Sequence, residues 1–156
     1  MRKANGILAL VIAILFAAHA ALGALSQHVD IPHALAPLVW VGVALAVAHI
    51  VMCLFTSRSM LTDTVRPPSD KKKRHLALKW VTGAALVAAV VAHIIIGTET
   101  SGKVAVVAVA VFLALHVCTG MKSLLKDLGW PRSLRDPLRV ACCIILAVAA
   151  LALVLA

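Results

Sequence analysis

Five apolar runs, at residues 7–25, 34–55, 76–97, 104–125 and 137–156, take up most of this chain. An α-helix needs about 20 apolar residues to cross a bilayer, and lipid offers no partner to an open backbone N–H or C=O. With 63% hydrophobic residues and a mean hydropathy of +1.05, the chain is not an ordinary water-soluble domain. The longest polar stretch, residues 56–75, is too short to bury a core of its own. The expected fold is an all-α membrane protein: five transmembrane helices in a bundle, forming a single domain over residues 1–156.

A formal net charge of +9 invites a nucleic-acid reading, but its distribution points to topology instead. Arg2 and Lys3 precede the first run. The second connection carries Arg58, Arg66, Lys71, Lys72, Lys73 and Arg74, with Lys79 just beyond, against Asp63 and Asp70. The fourth carries Lys122, Lys126, Arg132, Arg135 and Arg139 against Asp127 and Asp136, whereas the first and third hold only Asp30, Glu99 and Lys103. Basic residues therefore collect on one side, which the positive-inside rule assigns to the cytoplasm. The amino terminus is expected inside, the carboxyl terminus outside, and no nucleic acid is expected as partner.

The first run has features of a secretory signal peptide: Arg2-Lys3, an apolar core and an alanine-rich stretch at residues 17–24. It is read as a retained membrane helix. Pro32 suits a helix start, Arg66-Pro67-Pro68 breaks the inner connection, and Gly129-Trp130-Pro131 ends the fourth helix before Asp136-Pro137 begins the fifth. The cluster at residues 71–74 is read as a solvated inner loop touching anionic lipid, compatible with docking a cytoplasmic partner. Cys53, Cys118, Cys142 and Cys143 fall within apolar runs and are expected to pack as small thiols. No Cys-x-x-Cys-His run indicates covalent haem.

Histidines carry the chemistry. His19, His49, His93 and His116 lie inside four successive apolar runs, where an ionisable ring is costly and normally functional. Gly23, Gly97 and Gly120 follow three of them by four residues, and Cys53 follows His49, leaving space on the same helical face for a flat ligand. The expected topology puts His19 and His93 toward the outer face and His49 and His116 toward the inner one. The layers should stand roughly 10–15 Å apart in a core of about 30 Å.

Two stacked haems, each held by two imidazoles, match that layout. Neutral imidazole is a good axial ligand, and two of them fill the iron's coordination for electron transfer. Lys122, Arg58, Lys79 and Thr119 are candidate propionate partners on the inner side, and Ser26, Gln27, His28 and Lys103 on the outer. A lone intramembrane histidine can simply bond a neighbouring helix. A zinc or proton-relay site is a further alternative, disfavoured by the split depths because zinc ligands must lie about 2 Å from one ion. His28, His33 and His75 are read as solvated loop or helix-edge residues.

With these residues in place, the chain resembles the five-helix dihaem cytochrome b anchor of succinate dehydrogenases and quinol:fumarate reductases. The most specific match begins at His116, runs through Gly120 and the polar stretch that includes Lys122, and ends at Gly129-Trp130. The resemblance implies two haem b groups, the outer held by His19 and His93, the inner by His49 and His116. It implies quinone or menaquinone as exchangeable substrate, flavoprotein and iron–sulfur subunits as cytoplasmic partners, and a bacterial or archaeal cytoplasmic membrane. Such a subunit passes electrons between quinone and its partners and does not itself turn over dicarboxylate. Glu99 is the only glutamate and the fourth run has no acid ahead of His116, whereas members that couple electron transfer to proton movement use acidic side chains near the quinone and along the helices. Asp30, His28, His33 and Glu99 are quinone-site candidates by position alone. The alternatives are a dihaem anchor of another oxidoreductase and, in a different class, a haem-free transporter or metal-binding membrane protein.

Overall fold

The computed structural model describes residues 2–25, 36–96 and 100–155. Five helices follow in order: α1 (Arg2–Leu25), α2 (Ala36–Leu61), α3 (Asp70–Ile96), α4 (Thr100–Asp127) and α5 (Arg132–Leu155). Four spans are long and apolar enough to cross a membrane: Lys3–Leu22, Val39–Leu61, Asp70–Ile96 and Lys103–Asp127. The protein is an integral, multi-pass, all-α membrane protein.

Contacts divide the chain into two compact units, Met1–Pro67 and Pro68–Ala156. In the first, α1 packs on α2. In the second, α4 packs on both α3 and α5. Paired residue numbers show that the second unit is antiparallel. Lys79 meets Ser123 while Thr82 meets His116, so the partner number falls as the α3 number rises. Lys122 with Asp136 and Cys118 with Cys143 give the same pattern for α4 and α5.

The surface is apolar and the buried set is small. Ile14, Ile144, Ile145 and Val148 are each more than half exposed, whereas the buried hydrophobic residues are Ala89, Ala105 and Leu125. This inversion follows from the solvent: lipid tails are as apolar as leucine, so helices associate through close backbone approach and interhelical hydrogen bonds. Thr82 and Ala89 are both buried on α3, seven residues apart and hence on one face; His93, four further on, continues that stripe.

Helix ends follow local chemistry. Thr62 closes α2 by donating from its N–H and its hydroxyl to the Arg58 carbonyl, both at 2.9 Å. Asp63 then accepts from the backbone of Val65 and Arg66 in a side-chain-capped turn. Pro67 and Pro68 hold the chain extended until the Ser69 carbonyl accepts from Lys73 at 3.0 Å, opening α3. At the end of α4, Trp130 N–H donates to the Leu125 carbonyl and Gly129 N–H to that of Lys126, the Schellman pattern. Gly129 takes the left-handed φ of +85° that this turn requires.

Three expectations need correction. Residues 71–74 are not a loop: they form the first turns of α3, where Lys73 pairs with Asp70 at 3.5 Å, and His75 follows in helix. The fifth helix begins at Arg132 rather than at Asp136-Pro137, so Pro137 lies inside it, near enough to the start to cost only one backbone bond. Cys118 and Cys143 are not separate thiols, because they form a disulfide between α4 and α5 with Cα atoms 5.5 Å apart. Cys53 and Cys142 stay outside it. The turn assigned to Pro32, together with His28, His33, Asp30, Glu99 and Gly97, lies outside the described residues.

Candidate functional site

Each of the first four helices carries one of the histidines singled out above. His19 and His49 belong to the first unit, His93 and His116 to the second.

Within each unit the two rings stand at different levels. In the second, His116 meets Thr82, which lies eleven residues, or about 16 Å, along α3 from His93. In the first, Cys53 meets Asn5, fourteen residues or about 21 Å along α1 from His19. Cys53 in turn sits one turn beyond His49, with Sγ 3.6 Å from Nε2.

The best-built environment surrounds His116. Its Nδ1 lies 3.2 Å from Thr82 Oγ1, and Thr82 is buried at 8% exposure. The Thr82 hydroxyl has one proton, and the Leu78 carbonyl stands 3.0 Å from its oxygen. If the hydroxyl donates there, or to the Lys79 carbonyl at 3.2 Å, its oxygen can accept Nδ1–H, a tautomer that leaves Nε2 its lone pair. Ligating histidines are held in just this way, with the non-ligating N–H donated to a fixed partner. Thr119, one turn on, donates to the His116 carbonyl at 2.9 Å and stands 3.3 Å from Thr82 Oγ1.

Gly83 completes the setting. A Cβ there would lie 3.1 Å from Cε1 of His116 and 3.3 Å from Nδ1, so any larger residue would press on the ring, which would have to give by a few tenths of an ångström. Gly120, expected to clear room for a ligand beside His116, has open space around its Cβ direction. Spacing along a single helix carries no sign of Thr82 or Gly83, which act across the helix pair. A detectable signal existed: a small polar residue and a glycine stand next to each other on a helix that a histidine-bearing neighbour must pack against.

His93 is half-buried, and its Nδ1 is buried with no hydrogen-bond partner among the described residues. His19 is exposed on α1, and Gly23 lies in the last turns of that helix. Lys122 is engaged by Asp136, donating to its two oxygens at 2.7 and 3.0 Å. Lys79 donates to Ser123 Oγ, which donates to the Gly120 carbonyl at 2.8 Å. Among the described residues no three His, Cys, Asp or Glu side chains gather as a metal-binding group. Comparison with family models, curated proteins and solved structures returned no match to this chain.

Proposed function

We propose that this chain is a dihaem cytochrome b membrane anchor, carrying electrons between quinone and a flavin- and iron–sulfur-bearing partner of the succinate dehydrogenase or fumarate reductase type. The observation that carries the reading is the polar seat of His116, with Nδ1 3.2 Å from the hydroxyl of buried Thr82 and glycine against the ring; an Nδ1–H donated to that hydroxyl would leave the Nε2 lone pair for a metal. The buried Nδ1 of His93, without a partner among the described residues, is a second sign that imidazole nitrogen here is placed for something besides packing. In this reading α5 is the fifth span, the basic ends face the cytoplasm, and the chain acts as one domain.

His116 and His49 would hold one haem, His93 and His19 the other. A haem iron held between two imidazoles changes charge by one electron and leaves no position open to oxygen. Thr82 fixes the His116 tautomer and ring plane, so that ligand need not reorganise during transfer. Cys53, within reach of His49 Nε2, would turn aside when that nitrogen ligates. Neither a thiol-rich cluster motif nor a glycine-rich nucleotide loop is present in the sequence, so flavin and cluster chemistry belong to partners.

Haem per polypeptide, measured by pyridine haemochrome on the purified membrane protein with a reduced-minus-oxidised spectrum, tests the reading. About two b-type haems per chain is the expected result. Protein purified intact without haem would overturn it and bring the transporter class forward. Copurifying flavin and iron–sulfur subunits would separate the proposed assembly from a dihaem anchor serving another oxidoreductase.

A further inference from the structure

The second unit presents two clefts at its basic end, and of their lining residues only Thr119 enters the electron-transfer reading. One, about 530 Å³, lies where α3, α4 and α5 meet; its polar rim is His75, Thr119 and Arg139, and Leu78, Val140 and Ile144 are among its apolar walls. The other, about 490 Å³, is shallow and open, a strip on the face of α3 alone, lined by Arg74, His75, Ala77, Leu78 and Val81. His75 and Leu78 belong to both, so the clefts diverge from a shared point. Charge at that point has one sign: Arg74 and Arg139 line the clefts, and the charges of Lys79 and Arg139 both act on His75. No carboxylate lines either cleft. The nearby acids are otherwise occupied, Asp70 by Lys73 and Asp136 by Lys122.

We infer that this forked site holds one anionic diacyl phospholipid. Its phosphate would sit among Arg139, Arg74 and His75, and one chain would lie in each apolar cleft. Three features select that occupant. A phosphate oxyanion matches a rim of donors and cations without acids. Two apolar grooves leaving one polar point match two chains on one headgroup, which a soluble phosphate or a single-chain ligand does not. The site also lies at the basic ends of membrane-spanning helices, where anionic lipid is attracted. Arg139 is the deciding side chain, because it enters the junction cleft from α5 while Arg74 and His75 come from α3. The bound lipid would thereby link α3 to α5, two helices whose principal contacts are each with α4.

The test is native mass spectrometry of the full chain in detergent, titrated with phosphatidylglycerol or with phosphatidylcholine of identical chains. Phosphatidylglycerol should bind at least roughly fivefold tighter, and Arg139→Gln should remove about that factor, the value of one cation near an anionic surface. Arg139→Lys should keep most of the preference, which separates lost charge from lost folding. Lys126→Gln, an exposed cation on α4 that lines neither cleft, should leave it unchanged. Equal binding of the two lipids would overturn the inference. So would a Lys126→Gln loss equal to that of Arg139→Gln, which would mean diffuse charge. Displacement of the lipid by excess inorganic phosphate would assign the site to the free anion instead.

Discussion

Thr82 on α3 and His116 on α4 meet through the ring: Oγ1 lies 3.2 Å from Nδ1, and the Leu78 and Lys79 carbonyls stand 3.0 and 3.2 Å from the same hydroxyl. This pair decides which imidazole nitrogen is available, and substitution can separate its two components. Thr82→Val keeps the shape and removes the acceptor. It should weaken haem retention by roughly 10–100-fold, while Thr82→Ser retains most of it. Haem titration of the apoprotein followed by Soret absorbance reads the difference. Valine and serine variants with the wild-type affinity would mean that the contact is packing alone.

Gly83 gives a steric test of the same seat. Gly83→Ala places a methyl group 3.1 Å from Cε1 of His116. The ring must move or the helices must part, and overpacking of this kind costs about 1–3 kcal/mol. A lower melting temperature in detergent and a shifted haem spectrum are expected. Gly120→Ala, with open space around it, should be tolerated in both measurements.

The disulfide predicts a thiol count. Under denaturing, non-reducing conditions an alkylating reagent should label Cys53 and Cys142 alone, and after reduction all four cysteines. Mass spectrometry of the labelled chain distinguishes the cases. Cys118→Ser should add Cys143 to the labelled set. Closing the 25-residue separation between Cys118 and Cys143 stabilises the chain by about 3 kcal/mol on loop entropy, so the variant should also melt earlier.

Lys122 and Asp136 make an exposed tether between α4 and α5, and its pH dependence has a definite sign. The hydrogen bond from Lys122 holds the Asp136 carboxyl below its ordinary value against a small opposing desolvation, and the charges of Lys122, Arg139 and Arg132 add to the lowering. A carboxylate whose folded value is depressed contributes stability above its unfolded value, near 4, and loses it as pH falls through the folded one. The pair is solvent-screened, so the effect is small. Wild type should melt slightly above Asp136→Asn at pH 7 and coincide with it once the carboxyl is protonated. A gap that survives at pH values below the folded pKa would assign the difference to something other than this ion pair.

Haem stoichiometry in single variants tests the proposed pairing of the histidines. His49→Ala and His116→Ala should each remove the same haem, and His19→Ala and His93→Ala the other. Resolved potentials in a redox titration tell the two apart. Loss of a common haem from His19→Ala and His49→Ala would replace the pairing with one inside the first unit.

The helices were legible because apolar runs of about 20 residues admit one solution in lipid, and the stop at Gly129 because only glycine is comfortable at that turn's φ. Their starts were less legible. Residues 71–74 look like a loop by charge, yet Ser69 and Asp70 provide a helix start in the interface, where lysines can reach water from a helical backbone. Pro137 looks like a start and is not, because Leu134 N–H already bonds the Pro131 carbonyl. The four histidines were visible one by one as costly polar residues in apolar runs. Thr82, Gly83 and the Cys118–Cys143 bridge were not, because each depends on which faces of neighbouring helices meet, and intrahelical spacing is silent on that.

The eleven-residue offset between His93 and the level of His116 has an electrical consequence. About 16 Å is half of a hydrocarbon layer of roughly 30 Å. On the proposed reading, an electron passing from one level to the other crosses about half the membrane field. With about 2.3 kcal/mol for a full crossing at 100 mV, each transfer exchanges about 1.2 kcal/mol with the membrane potential. The stagger of two rings along one helix pair would therefore make electron flow through this chain voltage-sensitive, without any moving part.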